Sequence, residues 1–491
     1  MFEAAELGHS IDKETYRKEL PALREALLEA QFELAKRATF PVVILVAGVD
    51  GAGKGETINT LHEWLDPRRI ETNALSEPSD EESERPPMWR FWRALPPKGK
   101  IGIFFGSWYT GPILDRVEGS KGKATLETAQ ADILRFERML ADEGVLLLKF
   151  WFHLSKQQQK KRLRALEEDK RTRWRVTPQD WQRYRRYDRF RRVSETMLEQ
   201  TSTGHAPWIV VDGSDERYRS LLVGKTLLEG LRKRLSGARA ERNGGAGVLA
   251  PSLGTRNILD ALDLSVTLAP ADYARELERW QGRLNAAARA HSFAKRGAVL
   301  VFEGHDAAGK GGVIRRIAGA LDARHYRVVP IAAPSDEERA QPYLWRFWRH
   351  LPRRGHMTIF DRSWYGRVLV ERVEGYAEEA DWLRAYAEIN EFEAEIARHG
   401  LVIVKFWLAI SKQEQYRRFK EREATGFKRF KLTEEDWRNR KKWNAYARAV
   451  HDMVERTNSE LAPWTLVEAN DKYHARIKIL RTLTQRLEAA K

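Results

Sequence analysis

The sequence predicts an α/β fold built from two tandem copies of one three-layer α/β/α domain, each with a parallel sheet. Two observations predict it. Motifs in the first half of the chain return in the second half at a constant offset of 256 residues, and within each half short apolar runs alternate with longer segments of helical periodicity. Strands that are apolar throughout and alternate with helices form parallel sheets that are covered on both faces.

The repeat extends over most of the 491 residues. The matched motifs are residues 48–55 with 304–311, 89–93 with 345–349, 107–109 with 363–365, and 149–151 with 405–407. A segment rich in glycine and charge, residues 236–254, has no apolar period and predicts a linker. We therefore expect one domain at residues 1–235 and a second at residues 255–491.

The predicted strands follow the chain in the same order in both copies. They are residues 41–47, 100–105, 145–152 and 208–211 in the first copy, and 298–302, 357–360, 401–408 and 464–467 in the second. Segments with helical spacing lie between the strands, among them residues 127–143 and 380–398. In each copy the first strand leads directly into a glycine-rich loop.

In the second copy this loop is residues 304–311, which match the phosphate-loop pattern G-x-x-x-x-G-K between a strand and a helix. We expect its backbone N–H groups, including those of Gly309 and Gly311, to bind phosphate, and Lys310 to contact further phosphate oxygens. The eighth position usually holds a Ser or Thr that binds Mg²⁺, but here it is Gly311. The pattern predicts a P-loop kinase-like domain; a glycine turn with a solvated lysine is the alternative.

Two acidic residues are candidates for holding Mg²⁺ in the second copy. Asp361 ends the predicted strand 357–360, which is the Walker-B position, and Asp306 lies within the phosphate loop itself. Arg362 and Arg367 follow Asp361 and could stabilise charge on a transferring phosphoryl group. The alternatives are an Asx turn for Asp306 and a simple Asp–Arg ion pair at the strand end.

The first copy lacks three of these charged side chains. Phe105, Gly106 and Gly111 stand at the positions of the second acid and the two arginines, whereas Asp50 and Lys54 are retained. We therefore expect the first copy to be catalytically degenerate, although phosphate binding there stays open.

The net charge of +16 comes from 86 basic and 70 acidic residues. Residues 160–192 carry a net charge of +9 and residues 416–448 carry +7, so two equivalent segments account for the whole excess. Each follows a strand at the place where a P-loop kinase has its lid. A basic helical lid suits a long polyanionic substrate. A solvated face, or base stacking on single-stranded nucleic acid, remains an alternative.

Several classes of protein are excluded by composition. The chain has no cysteine, which excludes a disulfide scaffold, a thiolate zinc site and a cysteine nucleophile. No apolar run approaches the roughly 18 residues that a membrane span needs, and the start of the chain lacks a basic and apolar leader. We expect a cytoplasmic protein with no membrane partner.

Taken together, the motifs resemble the polyphosphate kinase 2 family, and the tandem arrangement resembles its two-domain class. The resemblance covers both copies. In the second copy it rests on residues 304–311, Pro334-Ser-Asp-Glu-Glu338, Trp345-Arg-Phe-Trp348, Asp361-Arg-Ser-Trp-Tyr365 and Ser411-Lys-Gln-Glu-Gln415.

The resemblance implies Mg²⁺-dependent transfer of the terminal phosphoryl group of inorganic polyphosphate to AMP, giving ADP, in the second copy. It implies catalytic roles for Asp306, Lys310, Asp361 and Arg362, with Asp306 and Asp361 as metal ligands. Further positions assigned on this basis are Arg367 and Glu371 for nucleotide, and Arg422, Lys428, Arg429 and Lys431 for polyphosphate. Homo-oligomers are expected, as is common in the family.

Two other functions remain alternatives at this stage. One is a kinase that uses ATP as donor or another nucleotide, such as ADP, as acceptor. The other, more remote, is a nucleic-acid-binding protein with a P-loop fold.

Overall fold

The computed structural model describes residues 1–120, 122–237, 258–426, 430 and 432–490. The chain divides into two compact units. Unit 1 comprises Met1–Pro78, Arg90–Asn243 and Ser335–Trp345, and unit 2 comprises Ser79–Trp89, Gly244–Pro334 and Arg346–Lys491. From residue 238 onward, the linker expected at residues 236–254 lies outside the described residues.

Unit 1 contains a five-stranded parallel sheet in the order β2-β3-β1-β4-β5. Its strands are β1 (Val42–Gly48), β2 (Ile70–Ala74), β3 (Ile101–Phe105), β4 (Leu146–His153) and β5 (Trp208–Asp212). The α-helices in this part of the chain, of which α3 belongs to unit 2, are α1 (Lys13–Arg37), α2 (Lys54–Trp64), α3 (Asp80–Ser83), α4 (Trp89–Arg93), α5 (Thr110–Glu118), α6 (Lys123–Asp142), α7 (Lys156–Glu168), α8 (Pro178–Arg185), α9 (Tyr187–Thr201) and α10 (Glu216–Leu235).

Unit 2 contains a second parallel sheet with the same topology, in the order β7-β8-β6-β9-β10. Its strands are β6 (Gly297–Gly304), β7 (Tyr326–Pro330), β8 (Met357–Asp361), β9 (Leu401–Ala409) and β10 (Trp464–Glu468). The α-helices here, of which α14 belongs to unit 1, are α11 (Pro270–Ala288), α12 (His291–Ala294), α13 (Lys310–Ala318), α14 (Asp336–Arg339), α15 (Trp345–Trp348), α16 (Val370–Glu374), α17 (Glu379–Arg398), α18 (Lys412–Ala424), α19 (Glu434–Lys441), α20 (Trp443–Thr457) and α21 (Lys472–Ala489).

Short 3₁₀ helices complete the described secondary structure. They are Glu3–Glu6, Pro67–Arg69, Arg173–Arg175, Ile258–Ala261 and Trp364–Arg367. Among the described residues, every helix is too short or too polar to cross a lipid bilayer.

The predicted α/β fold with two parallel sheets is confirmed, and the eight predicted strands are present. Two edge strands, β2 and β7, were not predicted. Their side chains are mostly half-buried or exposed, and polar residues interrupt both strands. Their sequences therefore lack the continuous apolar run of the central strands.

Strand register in unit 2 brings the candidate site residues to one edge of the sheet. The central strand β6 pairs with β8 and β9, and Phe302 near its end lies opposite Asp361 of β8 and Phe406 of β9. Because the strands are parallel, the loops that follow them meet at the same carboxyl edge. The phosphate loop, the segment after Asp361 and the lid helices after β9 therefore converge there.

A buried ion pair holds the helix preceding the fourth strand of the repeat onto the sheet in both units. In unit 2, Lys405 Nζ lies 2.7 Å from Glu393 Oε2, and the Tyr365 hydroxyl donates to the other carboxylate oxygen over 2.6 Å. In unit 1, Lys149 and Glu137 make the same contact at 2.7 Å. The four charged side chains are at most 1% exposed, so this pair belongs to the shared core.

Candidate active site

The phosphate loop of unit 2 joins β6 to α13. Gly309 precedes the helix with φ 112°, a left-handed conformation that favours glycine. Lys310 begins the helix, and its Nζ donates to the carbonyl oxygens of Gly304 (2.8 Å) and His305 (3.4 Å). Burial lowers the pKa of Lys310, and the neighbouring Arg362 guanidinium acts in the same direction. The loop therefore holds the partly buried ammonium group of Lys310 against its own backbone.

Gly311, in the first turn of α13, has no side chain that could cover the N-terminus of this helix. A Cβ atom at this position would meet no atom within 4 Å, so lack of space does not explain the missing Ser or Thr. An uncovered helix N-terminus beside a lysine is an arrangement that binds anions.

Asp306 lies between two side chains that come from other parts of unit 2. Arg362 Nη2 donates to its Oδ1 over 3.0 Å, and Asn439 Nδ2, from lid helix α19, donates to its Oδ2 over 2.9 Å. Gln415 of α18 donates to the backbone oxygen of Asp306 over 3.2 Å. Asn439 and Gln415 are not among the site residues predicted from sequence. They link two lid helices to the phosphate loop.

Arg362 adopts a backbone conformation that is unusual for its residue type. Its φ is 64°, in the left-handed region, and its N–H donates to Phe302 O over 3.0 Å. A non-glycine residue in such a conformation costs about 1–3 kcal/mol, and such residues cluster at functional sites. Gly106, with φ 87°, is the equivalent residue in unit 1. The conformation therefore belongs to the fold, and unit 2 retains an arginine in it.

Asp361 presents a carboxylate at the end of β8. Among the residues that the structure describes, none forms a hydrogen bond or ion pair with this carboxylate, and no cluster of three or more His, Cys, Asp or Glu is arranged to hold a metal ion. A cation would depend on Asp306 and Asp361 together with oxygens from substrate and water. Mg²⁺ commonly binds in this way, through one or two carboxylates and phosphate oxygens.

Glu303 is a further acid in the site that was not predicted. It lies at the end of β6, is 5% exposed, and accepts a 2.8 Å hydrogen bond from Ser363 Oγ. Burial raises the pKa of Glu303, while the nearby charges of Lys310 and Arg362 act in the opposite direction. A charged residue at the end of an otherwise apolar strand was the available sequence signal.

His305 within the phosphate loop is held neutral. Burial is the main cause that lowers its pKa to about 4, and the Lys310 charge adds to the effect. Its ring stacks on Trp443, with centroids 4.4 Å apart, and its Nδ1 accepts from Ile410 N over 3.3 Å. These contacts fix the loop against β9 and α20.

The two residues expected to bind nucleotide lie next to each other. Arg367 ends the 3₁₀ helix Trp364–Arg367, Glu371 lies in α16, and Arg367 Nε is 3.0 Å from Glu371 Oε2. Both side chains are largely buried. Their role toward a nucleotide stays a prediction.

The lid supplies one described residue of the predicted polyphosphate set. Arg422 lies in the last turn of α18. Lys428, Arg429 and Lys431 lie outside the described residues.

One lid arginine has a supporting position instead. Arg418 is 3% exposed, and its guanidinium donates to the backbone oxygens of Ala307 and Ala308 in the phosphate loop, at 2.9 and 3.0 Å. It also lies 2.6 Å from Glu414 Oε1. Not every basic residue of the lid is therefore available to a substrate.

Beside the equivalent loop of unit 1, a glutamate forms ion pairs with nearby arginines. Glu56, in the first turn of α2, lies 2.8 Å from Arg162 Nη2 and 3.5 Å from Arg175 Nη1, and it also pairs with the buried Arg219. Unit 2 has Gly312 at this position. Three arginines around the phosphate loop of unit 1 are thus paired with a carboxylate of the protein itself.

Comparison with known proteins gives consistent matches. The model of the family described as polyphosphate kinase 2 matches residues 10–238 and 267–491. The chain is 60% identical over 491 residues to a polyphosphate:AMP phosphotransferase of Pseudomonas aeruginosa, covering 100% of this chain and 99% of that protein. It is 38% identical to one from Acinetobacter johnsonii, covering 94% and 95%. A crystal structure described as a polyphosphate kinase 2 from Pseudomonas aeruginosa superposes with a TM-score of 0.90 at 57% identity, covering 100% and 99%.

Proposed function

Because this chain belongs to the polyphosphate kinase 2 family, we propose that it transfers the terminal phosphoryl group of inorganic polyphosphate to AMP and forms ADP. The observation that carries the proposal is the full-length likeness to polyphosphate:AMP phosphotransferases, which spans both units. The site in unit 2 supports it, because a phosphate loop, a partly buried lysine and an arginine converge there with two carboxylates.

In this reaction an oxygen of the AMP phosphate attacks the terminal phosphorus of polyphosphate. The bond from that phosphorus to the bridging oxygen breaks, and the chain leaves one phosphate shorter. With a second pKa near 6, the AMP phosphate is mostly dianionic at neutral pH, so a strong general base is unnecessary. The protein contributes alignment of the two phosphates and stabilisation of their negative charge.

We assign the charge-stabilising roles to two cations. Lys310 and the N-terminus of α13 bind the end of the polyphosphate chain. Arg362 contacts the transferring phosphoryl group, since it lies beside both the loop and Asp306. Asp306 orients Arg362 through their 3.0 Å hydrogen bond.

We propose that the metal ion is Mg²⁺ and that Asp306 and Asp361 hold it. Their carboxylate oxygens are the hard ligands that this ion prefers. Bound Mg²⁺ would neutralise part of the charge on the phosphate oxygens. Asn439, which donates to Asp306, lies on lid helix α19, so lid position and the geometry of this carboxylate are coupled.

The roles of the remaining predicted site residues are also proposals. Arg367 and Glu371 are proposed to contact AMP, and Arg422, Lys428, Arg429 and Lys431 to bind the polyphosphate chain. A cytoplasmic location and homo-oligomer formation stay predictions.

We further propose that unit 2 is the catalytic unit and unit 1 is catalytically degenerate. Unit 1 has Phe105 and Gly106 where unit 2 has its second acid and its arginine. Two cations beside its phosphate loop are also paired: Lys54 Nζ and Arg183 Nη1 lie 3.6 and 3.7 Å from the carboxylate of Asp50. Glu56, which pairs with three arginines beside this loop, adds a negative charge where unit 2 has Gly312.

The test is a comparison of phosphoryl donors. The purified full chain is incubated with AMP and Mg²⁺, and with either inorganic polyphosphate or ATP, and ADP is quantified by chromatography. We expect ADP with polyphosphate as donor. ADP formation with ATP alone would identify an ATP-dependent nucleotide kinase and contradict the proposal. ADP and GMP as alternative acceptors define the specificity.

A further inference from the structure

Glu303 is a buried carboxylate in unit 2 to which no sequence motif gives a role. It precedes the phosphate loop, and Ser363 Oγ donates to its Oε1 over 2.8 Å. The same Ser363 oxygen accepts from Tyr365 N over 3.3 Å and caps the 3₁₀ helix that follows. Glu303 therefore connects the end of β6 to the segment that carries Asp361 and Arg362.

The charged residues near Glu303 belong to the proposed transfer site. Lys310 Nζ donates to the carbonyl oxygen of Gly304, the residue after Glu303, over 2.8 Å. Ser363, which donates to Glu303, directly follows Arg362 in the chain. Two cations that face the same phosphate group repel each other. A carboxylate beside both reduces that repulsion. Asp306 contributes in the same sense, but its oxygens are bonded to Arg362 and Asn439.

Comparison with unit 1 shows whether the fold itself requires an acid at the position of Glu303. The equivalent residue is Ala47, and Gly106 replaces the arginine, while Ser107 and Lys54 are retained. Lys54 Nζ donates to two carbonyl oxygens of its own loop, at 2.7 and 2.8 Å, in the manner of the lysine of unit 2. The fold therefore forms without the acid. Unit 2 has both Glu303 and Arg362, whereas unit 1 has neither an acid nor an arginine at the equivalent positions.

We propose that Glu303 is a positioning residue for phosphoryl transfer: its carboxylate, held in place by Ser363, provides a fixed negative charge beside Lys310 and Arg362 and orients both toward the transferring group. This inference rests on the proposed function. It gives a role to a buried acid, Glu303, at a position where the equivalent strand of unit 1 has Ala47. A preorganised arrangement of charges acts on the transition state more than on substrate binding.

The test is Glu303→Gln in the full chain, which keeps the size of the side chain and an acceptor for Ser363 but removes the charge. We expect kcat for ADP formation to fall about 10- to 100-fold, with KM for AMP and polyphosphate changed less than about threefold. Glu303→Asp, which keeps the charge, should recover part of the loss. A Gln variant with wild-type kcat would overturn the inference. Absence of ADP from the wild-type chain would instead contradict the proposed function.

Two further variants guard against a folding defect. Glu303→Ala copies Ala47, which the equivalent strand of unit 1 accommodates, and we expect it to fold with a reduced kcat. Glu137→Gln removes another buried acid, the partner of Lys149 in unit 1. This control should lower the thermal midpoint without a selective loss of kcat below the transition. If Glu303→Gln behaved like Glu137→Gln, Glu303 would be a structural residue and the inference would be wrong.

Discussion

Arg362 holds the left-handed backbone conformation in which its counterpart in unit 1 is Gly106. The conformation is required by the path of the chain, because the N–H of Arg362 bonds to Phe302 O at the end of the neighbouring strand. A glycine would relieve the local strain. The arginine is therefore kept for its side chain, which reaches Asp306.

We accordingly expect Arg362→Gly to lower kcat by about 100-fold or more, the scale found when one charge-stabilising donor is removed. The thermal midpoint should change by no more than a few degrees, since the backbone strain disappears with the side chain. Steady-state kinetics and thermal unfolding of the same preparation measure both effects. A kcat within about threefold of wild type would exclude Arg362 from the transfer step.

Some of the site residues predicted from sequence have a fixed spacing from the glycine loop or from a strand end, and others were assigned from the family resemblance. Asp306, Lys310 and Asp361 belong to the first class. Asn439 could not be predicted in this way, because it lies 133 residues from Asp306 and reaches it only through the packing of the lid. Glu303 was missed because the predicted strand ended at residue 302, although a charged residue directly after an apolar strand was the signal that could have identified it.

At the scale of elements, the buried Lys–Glu pair is the same in both units, although only unit 2 carries the full set of charged site residues. Lys149 in β4 and Lys405 in β9 each hold a glutamate of the preceding helix at 2.7 Å. Each also donates to a backbone oxygen at the end of the helix before the last strand, at 2.8 and 2.7 Å. Because the pair is the same in both units, we assign it a structural role: it holds two helices against the sheet.

From this arrangement we expect Lys149→Met to destabilise the protein by about 3–5 kcal/mol, because it leaves a buried glutamate unpaired. Lys405→Met should have a similar effect on unit 2. Urea unfolding followed by tryptophan fluorescence measures the change, with the exposed Lys160→Met as a control that should shift stability by less than about 0.5 kcal/mol. An unchanged unfolding midpoint for Lys149→Met would show that the pair is not a structural element.

The strands inside each sheet were predictable because they read as continuous apolar runs, and the edge strands β5 and β10 were predicted from their apolar residues as well. The edge strands β2 and β7 were not, since polar residues such as Glu71, Thr72 and Arg327 fit a half-exposed strand as well as a loop. The parallel arrangement of each sheet was predicted from the apolar strands, whereas the strand order was not predicted.

At the scale of the whole molecule, the 86 basic residues overstate the number of cations that a substrate can meet, because some of them bond to carboxylates or backbone oxygens of the protein itself. In unit 2, Arg438 and Lys442 of the lid lie 3.1 and 2.9 Å from Glu374, and Arg418 is occupied with the phosphate loop. In unit 1, Glu56 pairs with three arginines. The position of the excess charge was predictable by counting, but its pairing with residues far along the chain was not.

The central claim is that unit 2 carries out the transfer from polyphosphate to AMP and that unit 1 does not. Asp306 and Asp50 occupy the same position in the two phosphate loops, so Asp306→Ala and Asp50→Ala form a matched pair. Both variants are made in the full chain, because unit 1 includes residues 335–345.

Steady-state ADP formation from AMP and inorganic polyphosphate is then compared for the two variants. We predict that Asp306→Ala lowers kcat by about 100-fold or more, whereas Asp50→Ala keeps most of the wild-type rate. Equal losses in both variants, or loss only with Asp50→Ala, would contradict the claim and assign the transfer to unit 1 or to both phosphate loops.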